Sequence, residues 1–334
     1  MKQLARALDD KVMAPVRKLL GNAHTLLVSP DGTLSLVPFA AFVDEQSRYL
    51  VERYSISYLT TGRDLLRLQA QAASRHGPLV IANPNFDDDG SANPPRTSVA
   101  RSAPGNRSVN LAGFAFDPLP GTAKEAEALK GLLRGATVLT GSKATEAALK
   151  LVPSPSILHI ATHGFFLSDA RKERQEGAYR ALYDSDPSGR MLMGENPLLR
   201  SGLALAGFNK GKSGSEDGVL TALEASGLDL TGTKLVVLSA CETGVGDVLN
   251  GEGVYGLRRA LVIAGTESQV MSLWQVSDAA TRDLMIDYYK GLMTGGGRSE
   301  SLRTVQLEML RGTDRQHPYY WASFIASGDW RSMQ

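Results

Sequence analysis

The chain has 334 residues, 43% of them apolar and 21% charged, with a formal net charge of +1. That length builds one large or two medium domains around a substantial core, and the near-neutral balance excludes the electrostatic footprint of a nucleic-acid or anionic-membrane binder. The sole cysteine, Cys241, forms no internal disulfide, so nothing requires an oxidising compartment. No apolar run reaches the length of a membrane span, and a soluble, cytoplasmic protein is expected.

In chain order, Leu4, Leu8, Val12, Val16, Leu19 and Leu20 have helical spacing that stops at Gly21, with Pro15 a kink point. This charged opening reads as an amphipathic helix and not as a signal peptide. A strand is predicted from His24, turn chemistry at Pro30-Asp-Gly32, and a return strand over Leu34 to Phe42 as a hairpin-like pair. Tyr54 to Leu59 alternates apolar and polar residues, the pattern of an antiparallel or edge strand. Arg63 to Ala73 reads as a helix. From residue 77 the rhythm changes to alternating strand and helix, which divides the chain into an amino-terminal part, 1–76, and a main α/β domain, 77–334. The main domain is expected to hold a mostly parallel sheet with helices on both faces. The amino-terminal part, with its own strand pattern, also fits a degenerate copy of the same fold.

Strands are expected at 79–83, 137–140, 156–164, 203–209, 234–244, 268–274 and 320–330. Helices are expected at 122–133, 143–151, 219–226, 255–264, 279–293 and 301–310. Two long segments interrupt them. Asn83 to Pro120, polar and rich in Gly and Pro, is a mobile loop by composition; it carries Arg96, Arg101 and Arg107, candidate self-processing points. Phe166 to Gly218, with Tyr179, Tyr183, Asp184 and Asp186, is placed to shape a cleft.

Two strands carry the chemistry. Leu235 to Leu238 is an apolar run that shrinks to Ser239 and Ala240, presents Cys241, and dissolves into Glu242-Thr-Gly244. Ser156 to Gly164 likewise ends in small residues, then His163 and Gly164. Ligands gather at the carboxyl ends of strands in open α/β sheets, so these ends suggest a nucleophile and its proton-transfer partner, distant in sequence and adjacent in space. In a cysteine hydrolase His163 gives the leaving amine its proton, and the N–H groups of Gly164 and Cys241 hold the oxyanion. On residue types alone, this chemistry and an unreactive core cysteine are equally open. His159 and His163 have H-x-x-x-H spacing, but on a strand and without the glutamate of a zinc site. Period 2 puts both on one face, with His159 as hydrogen-bonded support. No metal is expected. The glycine-rich strings at 211–215 and 244–247 match neither a P-loop nor a dinucleotide fingerprint and read as loops.

Leu158-His-Ile-Ala-Thr-His-Gly-Phe-Phe166 and Val237-Leu-Ser-Ala-Cys-Glu-Thr-Gly244 resemble the His and Cys boxes of CHAT domains, relatives of caspases, separases and gingipains. Supporting stretches run along nearly the whole chain: Pro30-Asp-Gly with Val37-Pro-Phe, Leu119-Pro-Gly-Thr with Glu125-Ala-Glu, Asn196-Pro-Leu-Leu-Arg-Ser-Gly-Leu, Gly251-Glu-Gly, Ser272-Leu-Trp-Gln-Val-Ser-Asp278 and Tyr320-Trp-Ala-Ser-Phe. The resemblance implies a caspase-like three-layer α/β sandwich, a cysteine endopeptidase dyad of His163 and Cys241, no cofactor, and residues 1–76 as the opening part of the same module. It implies a protein substrate, and latency relieved by an activating partner or helical-repeat region. No such repeat is present in this sequence, which leaves an excised protease portion or activation through another subunit. Trp274-Gln-Val-Ser-Asp278 resembles a separase stretch whose Asp faces a basic residue before the scissile bond. Asp278, with Trp274 and Glu252, is therefore a candidate substrate-pocket residue. Asp278 also reads as the cap of a helix from Ala279. The rival reading of the whole chain is a non-catalytic protein-interaction module with a structural Cys241.

Overall fold

The computed structural model describes residues 1–70, 72–88, 111, 114–167, 196–239, 241–242, 252–274 and 277–333, with the side chains of 197, 241, 242 and 252–255 outside the description. The strands are β1 (Thr25–Val28), β2 (Ser55–Tyr58), β3 (Leu79–Pro84), β4 (Thr137–Gly141), β5 (Ile157–Ala161), β6 (His163–Phe166), β7 (Ser201–Ala204), β8 (Val219–Thr221), β9 (Leu235–Leu238), β10 (Cys241–Glu242), β11 (Ser268–Ser272) and β12 (Phe324–Gly328). The helices are α1 (Lys2–Val12), α2 (Ala14–Arg17), α3 (Asp64–Arg67), α4 (Pro120–Leu132), α5 (Glu146–Lys150), α6 (Ala222–Ser226), α7 (Glu252–Ile263), α8 (Asp278–Met293), α9 (Arg298–Arg311) and α10 (Pro318–Trp321).

Eight strands form one sheet in the order β1-β2-β12-β11-β9-β5-β3-β4. Every neighbouring pair is parallel except β11 with β12. β1, β2 and β12 therefore run opposite to the other five. The apolar runs are buried on both faces because alternate residues serve two cores. Val236 and Leu238 of β9 pack with Ile81, Leu158, Leu257 and Leu261 on one side. Leu235 and Val237 pack with Val80, Ala126, Leu129, Leu284 and Tyr288 on the other. The result is the three-layer sandwich expected. A second, four-stranded sheet, β10-β6-β7-β8, grows from the carboxyl ends of β9 and β5.

Local chemistry explains where the sequence reading needs correction. The opening helix breaks at Met13, with Pro15 in the first turn of α2, as proline allows. Leu34 to Phe42 is not a strand. It forms two 3₁₀ turns tied to β2 by Tyr58, whose hydroxyl accepts from Phe39 N at 2.8 Å and donates to Val37 O at 2.7 Å. β1 instead pairs with β2, in parallel. β2 is neither antiparallel nor an edge, because its alternating polar residues are buried serines. Ser55 Oγ meets Ser299 Oγ at 2.9 Å, and Ser57 Oγ donates to Gly328 O at 2.8 Å. The helix expected over 63–73 is a single turn, α3. The stretch 219–226 is strand β8 followed by α6, whose Thr221–Glu224 capping box marks the switch. The 203–209 strand ends at Ala204, and the last strand starts at Phe324 after the short helix α10. Most of the two long segments, 89–110 with 112–113 and 168–195, lies outside the described residues, including Arg96, Arg101, Arg107, Tyr179, Tyr183, Asp184 and Asp186.

At the edge of the sheet far from the carboxyl ends of β5 and β9, Arg298 opens α9, 2% exposed. Its Nη2 lies 3.0 Å from Glu267 Oε2 and its Nη1 3.0 Å from Asp329 Oδ2. One guanidinium thus bridges the start of β11 and the end of β12. Burial pushes the Asp329 carboxyl up, but hydrogen bonds from Arg331 and the Arg298 and Arg331 charges outweigh it and hold the group below the usual range.

Candidate active site

β5 and β9 are neighbours in parallel register from Ile157↔Leu235 to Ile160↔Leu238. Thr162 donates to Ala204 O and anchors the passage from β5 to β6. Beyond it the same register resumes between β6 and β10, with Cys241 opposite His163 and Glu242 opposite Gly164. Adjacent strands lie about 4.8 Å apart, so the fold sets the His163 and Cys241 backbones side by side. Gly164 also pairs with Leu203 of β7. The Cys241 and Glu252 side chains lie outside the described residues; Glu252 opens α7.

The His163 ring is 6% exposed. It stacks on Phe116 at 4.8 Å between centroids with 16° between planes, and Phe86 lies tilted at 5.3 Å. Its Nε2 is 2.8 Å from the Asp117 carbonyl oxygen. A carbonyl only accepts, so Nε2 carries the ring proton and the neutral ring keeps a lone pair on Nδ1. Nδ1 is buried and has no hydrogen-bond partner among the described residues. Burial lowers the His163 pKa, against the Asp117 carbonyl and the charges of Asp278 and Asp117, which raise it. Burial wins, and the ring is neutral through the neutral pH range.

The segment that orients this ring escaped the sequence reading, which placed it inside a mobile loop. Asn209 clamps it from both sides: its Oδ1 accepts from Phe116 N at 2.8 Å and its Nδ2 donates to Phe116 O at 3.1 Å. Asn209 N in turn donates to Phe86 O at 2.9 Å. The bond to the histidine is made by main chain, which leaves no mark in residue type.

Asp278 is the first residue of α8, and Ser277 occupies the cap position, one residue earlier than the expected cap. Its carboxylate is exposed and acts on His163 through its charge. Gly121 of α4 is so close that an added Cβ would stand 2.6 Å from Asp278 Cβ. Only glycine lets α4 approach the start of α8 here. Trp274 is half-buried, and its Nε1 donates to Tyr319 O at 3.1 Å. His159 sits deeper in β5, with 0% exposure. Among the described residues one acidic group has metal-like spacing, Glu146, Glu216 and Glu224. Lys150 Nζ fills it, at 2.7, 3.3 and 3.4 Å. Burial pushes Glu146 up to about 8, against the hydrogen bond and charge of Lys150.

A CHAT domain family model matches residues 2–329. The chain belongs to the CHAT domain family. Tetratricopeptide repeat protein 28 of Homo sapiens is 27% identical to this CHAT chain over 341 residues. The Mus musculus protein of the same name is 25% identical over 358 residues. Each alignment covers 97% of this chain but only 13% of the relative's length. Among solved structures, the Saccharomyces cerevisiae separase–securin complex matches with a TM-score of 0.51 at 12% identity, over 92% of this chain and 15% of that one. That likeness is one of fold. The CHAT sandwich is thus the caspase-like fold shared with separase. Among the described residues no helix is long and apolar enough to cross a membrane.

Proposed function

We propose that this CHAT domain is a cysteine endopeptidase in which Cys241 attacks the peptide carbonyl and His163 moves the protons. The observation that carries the reading is a histidine fixed by a main-chain acceptor on Nε2, with a buried Nδ1 that has no partner among the described residues and a backbone in register with that of the sole cysteine. In this mechanism Nδ1 takes the thiol proton as sulfur bonds to the carbonyl carbon. The backbone N–H groups of Gly164 and Cys241 then stabilise the oxyanion. The protonated ring next gives its proton to the leaving amine, and water hydrolyses the acyl-enzyme with the ring again acting as base. Residues 1–76 belong to the same module in this reading. The separase–securin match and the tetratricopeptide-repeat relatives support a protein partner; that the substrate is a protein and that the partner relieves latency completes the reading.

The test is the reactivity of the single thiol. At neutral pH an active-site electrophile is expected to alkylate Cys241 faster than a free thiol, and His163→Ala to slow it. Equal, slow labelling of both proteins would leave a non-catalytic interaction module.

The pH profile has a definite sign. Protonated His163 cannot accept the thiol proton, so kcat/KM falls as pH drops through the His163 pKa. Because burial holds that value down, the acidic limb is expected below the ordinary histidine value of about 6.5. A limb at or above it contradicts a buried, neutral ring.

Asp278 is the candidate specificity residue. An exposed carboxylate whose charge reaches the histidine can take an arginine guanidinium by two charge-assisted hydrogen bonds. Asp278→Asn is expected to abolish a preference for Arg over Met before the scissile bond. It also removes a charge that raises the His163 pKa, so the acidic limb moves further down. Matched peptides assayed across pH read both effects. An apolar preference untouched by the substitution would confine Asp278 to the first turn of its helix.

A further inference from the structure

Beneath the paired strands lies a buried polar chain that the dyad does not use. His159 and Tyr289 are 0% exposed, Glu125 1% and Ser239 4%. Burial, with the nearby Tyr288 and Glu125, pushes the Tyr289 hydroxyl well above its ordinary pKa, so it keeps its proton. It lies 3.1 Å from His159 Nδ1. On the other side of the ring, His159 Nε2 lies 3.1 Å from Glu125 Oε1, close though not aligned as a hydrogen bond. From the other side Ser239 Oγ donates to Glu125 Oε2 at 3.1 Å. Ser239 thus donates to one oxygen of the Glu125 carboxyl, and the His159 ring faces the other.

Glu125 thereby ties three pieces together. It belongs to α4, which follows directly on the Asp117 segment that orients His163. Through His159 it holds β5, which leads to His163 by way of Thr162. Through Ser239 it holds the end of β9, two residues before Cys241. We infer that Glu125 is a positioning residue for the His163–Cys241 pair, fixing α4 and both strand ends in a single register. A buried carboxylate without donors is costly, so a slip of the β9 end breaks the bond from Ser239 and a slip of β5 draws the His159 ring away from the other oxygen. The inference rests on the dyad reading of the preceding section.

The experiment measures kcat, KM and the pH dependence of Cys241 alkylation in wild type, Glu125→Gln, Ser239→Ala, the double variant and His163→Ala. Glu125→Gln keeps the shape but turns one acceptor into an NH₂ that faces a donor. It is expected to lower kcat about ten- to hundredfold with KM little changed, the scale of a misplacement near 1 Å, and to move the apparent thiol pKa toward that of a free thiol. Ser239→Ala removes only the tie to the cysteine strand and gives a smaller loss in the same direction. The double variant is no worse than Glu125→Gln. Folded Glu125→Gln and Ser239→Ala proteins with wild-type kcat and alkylation profile overturn the inference; if Glu125→Gln does not fold, Ser239→Ala decides alone. Failure of the dyad itself reads differently, as wild-type labelling at the free-thiol rate unchanged by His163→Ala, and the inference falls with it.

Discussion

Alanine at Cys241 is expected to abolish peptide cleavage, a loss of at least about a thousandfold, while the fold survives. The sulfur is the only thiol in the chain, so no neighbouring cysteine can substitute for it. Truncation to alanine removes little volume and is expected to cost on the order of 1 kcal/mol. His163→Ala should lose activity on the same scale, because without Nδ1 neither the thiol nor the leaving amine has a proton partner. Its stability cost is larger, about 1–3 kcal/mol, since the Asp117 carbonyl loses its donor and Phe116 its stacking face. Residues that act as one unit are not additive, so the double variant should be no slower than either single one. Turnover of a fluorogenic peptide by the three proteins, with thermal melts alongside, checks all of this. Retained turnover in Cys241→Ala removes the dyad from consideration.

Arg298→Ala is expected to cause the largest loss of stability. Removing one partner of a buried ion pair typically costs about 3–5 kcal/mol because the other charge is left behind. Here both carboxylates keep a second cation: Lys234 Nζ lies 2.7 Å from Glu267 and Arg331 Nη2 2.8 Å from Asp329. The loss should therefore fall near the lower end, about 3 kcal/mol. In urea it reads as a lower midpoint with an unchanged slope. A loss below about 1 kcal/mol would mean that the two remaining cations suffice. The Asp329 contribution carries a pH signature: its folded pKa is depressed, so its share is full above the ordinary carboxylate range and is lost as pH falls through the folded value.

The core of the large sheet was legible because an apolar run ending in small residues has one physical meaning in an α/β chain. The single strands expected over 156–164 and 234–244, however, are each two, β5 then β6 and β9 then β10, with His163 and Cys241 in the four-stranded sheet. The amino-terminal part misled the reading for a reason that β2 makes plain. Alternation of Tyr and Ile with Ser looks like one wet face, yet Ser55 and Ser57 are small enough to be buried and bonded across the sheet. Periodicity reports polarity, not exposure. Leu34 to Phe42 failed similarly: its apolar content is real, but Tyr58 draws its backbone into turns. At the site, Asp117 serves through its carbonyl and Asn209 through contacts to main chain, roles that side-chain identity does not announce. Glu125 was visible only as part of a motif, and His159 as hydrogen-bonded support without a named partner. Their partnership is tertiary.

The docking of β2 on β12 has a consequence for synthesis. The two strands share backbone pairs Ser57↔Ala326 and Tyr58↔Ser327, so β2 finds its inner partner only after the whole intervening stretch between them has been made. At roughly 5–20 residues per second, the ribosome leaves that edge of β2 without its partner for about 15–50 s. Contacts of such long sequence separation are also slow to close. The large sheet is therefore completed after translation of β12, and until then the nascent amino-terminal strands present an open edge of the kind to which holdase chaperones or other nascent chains attach.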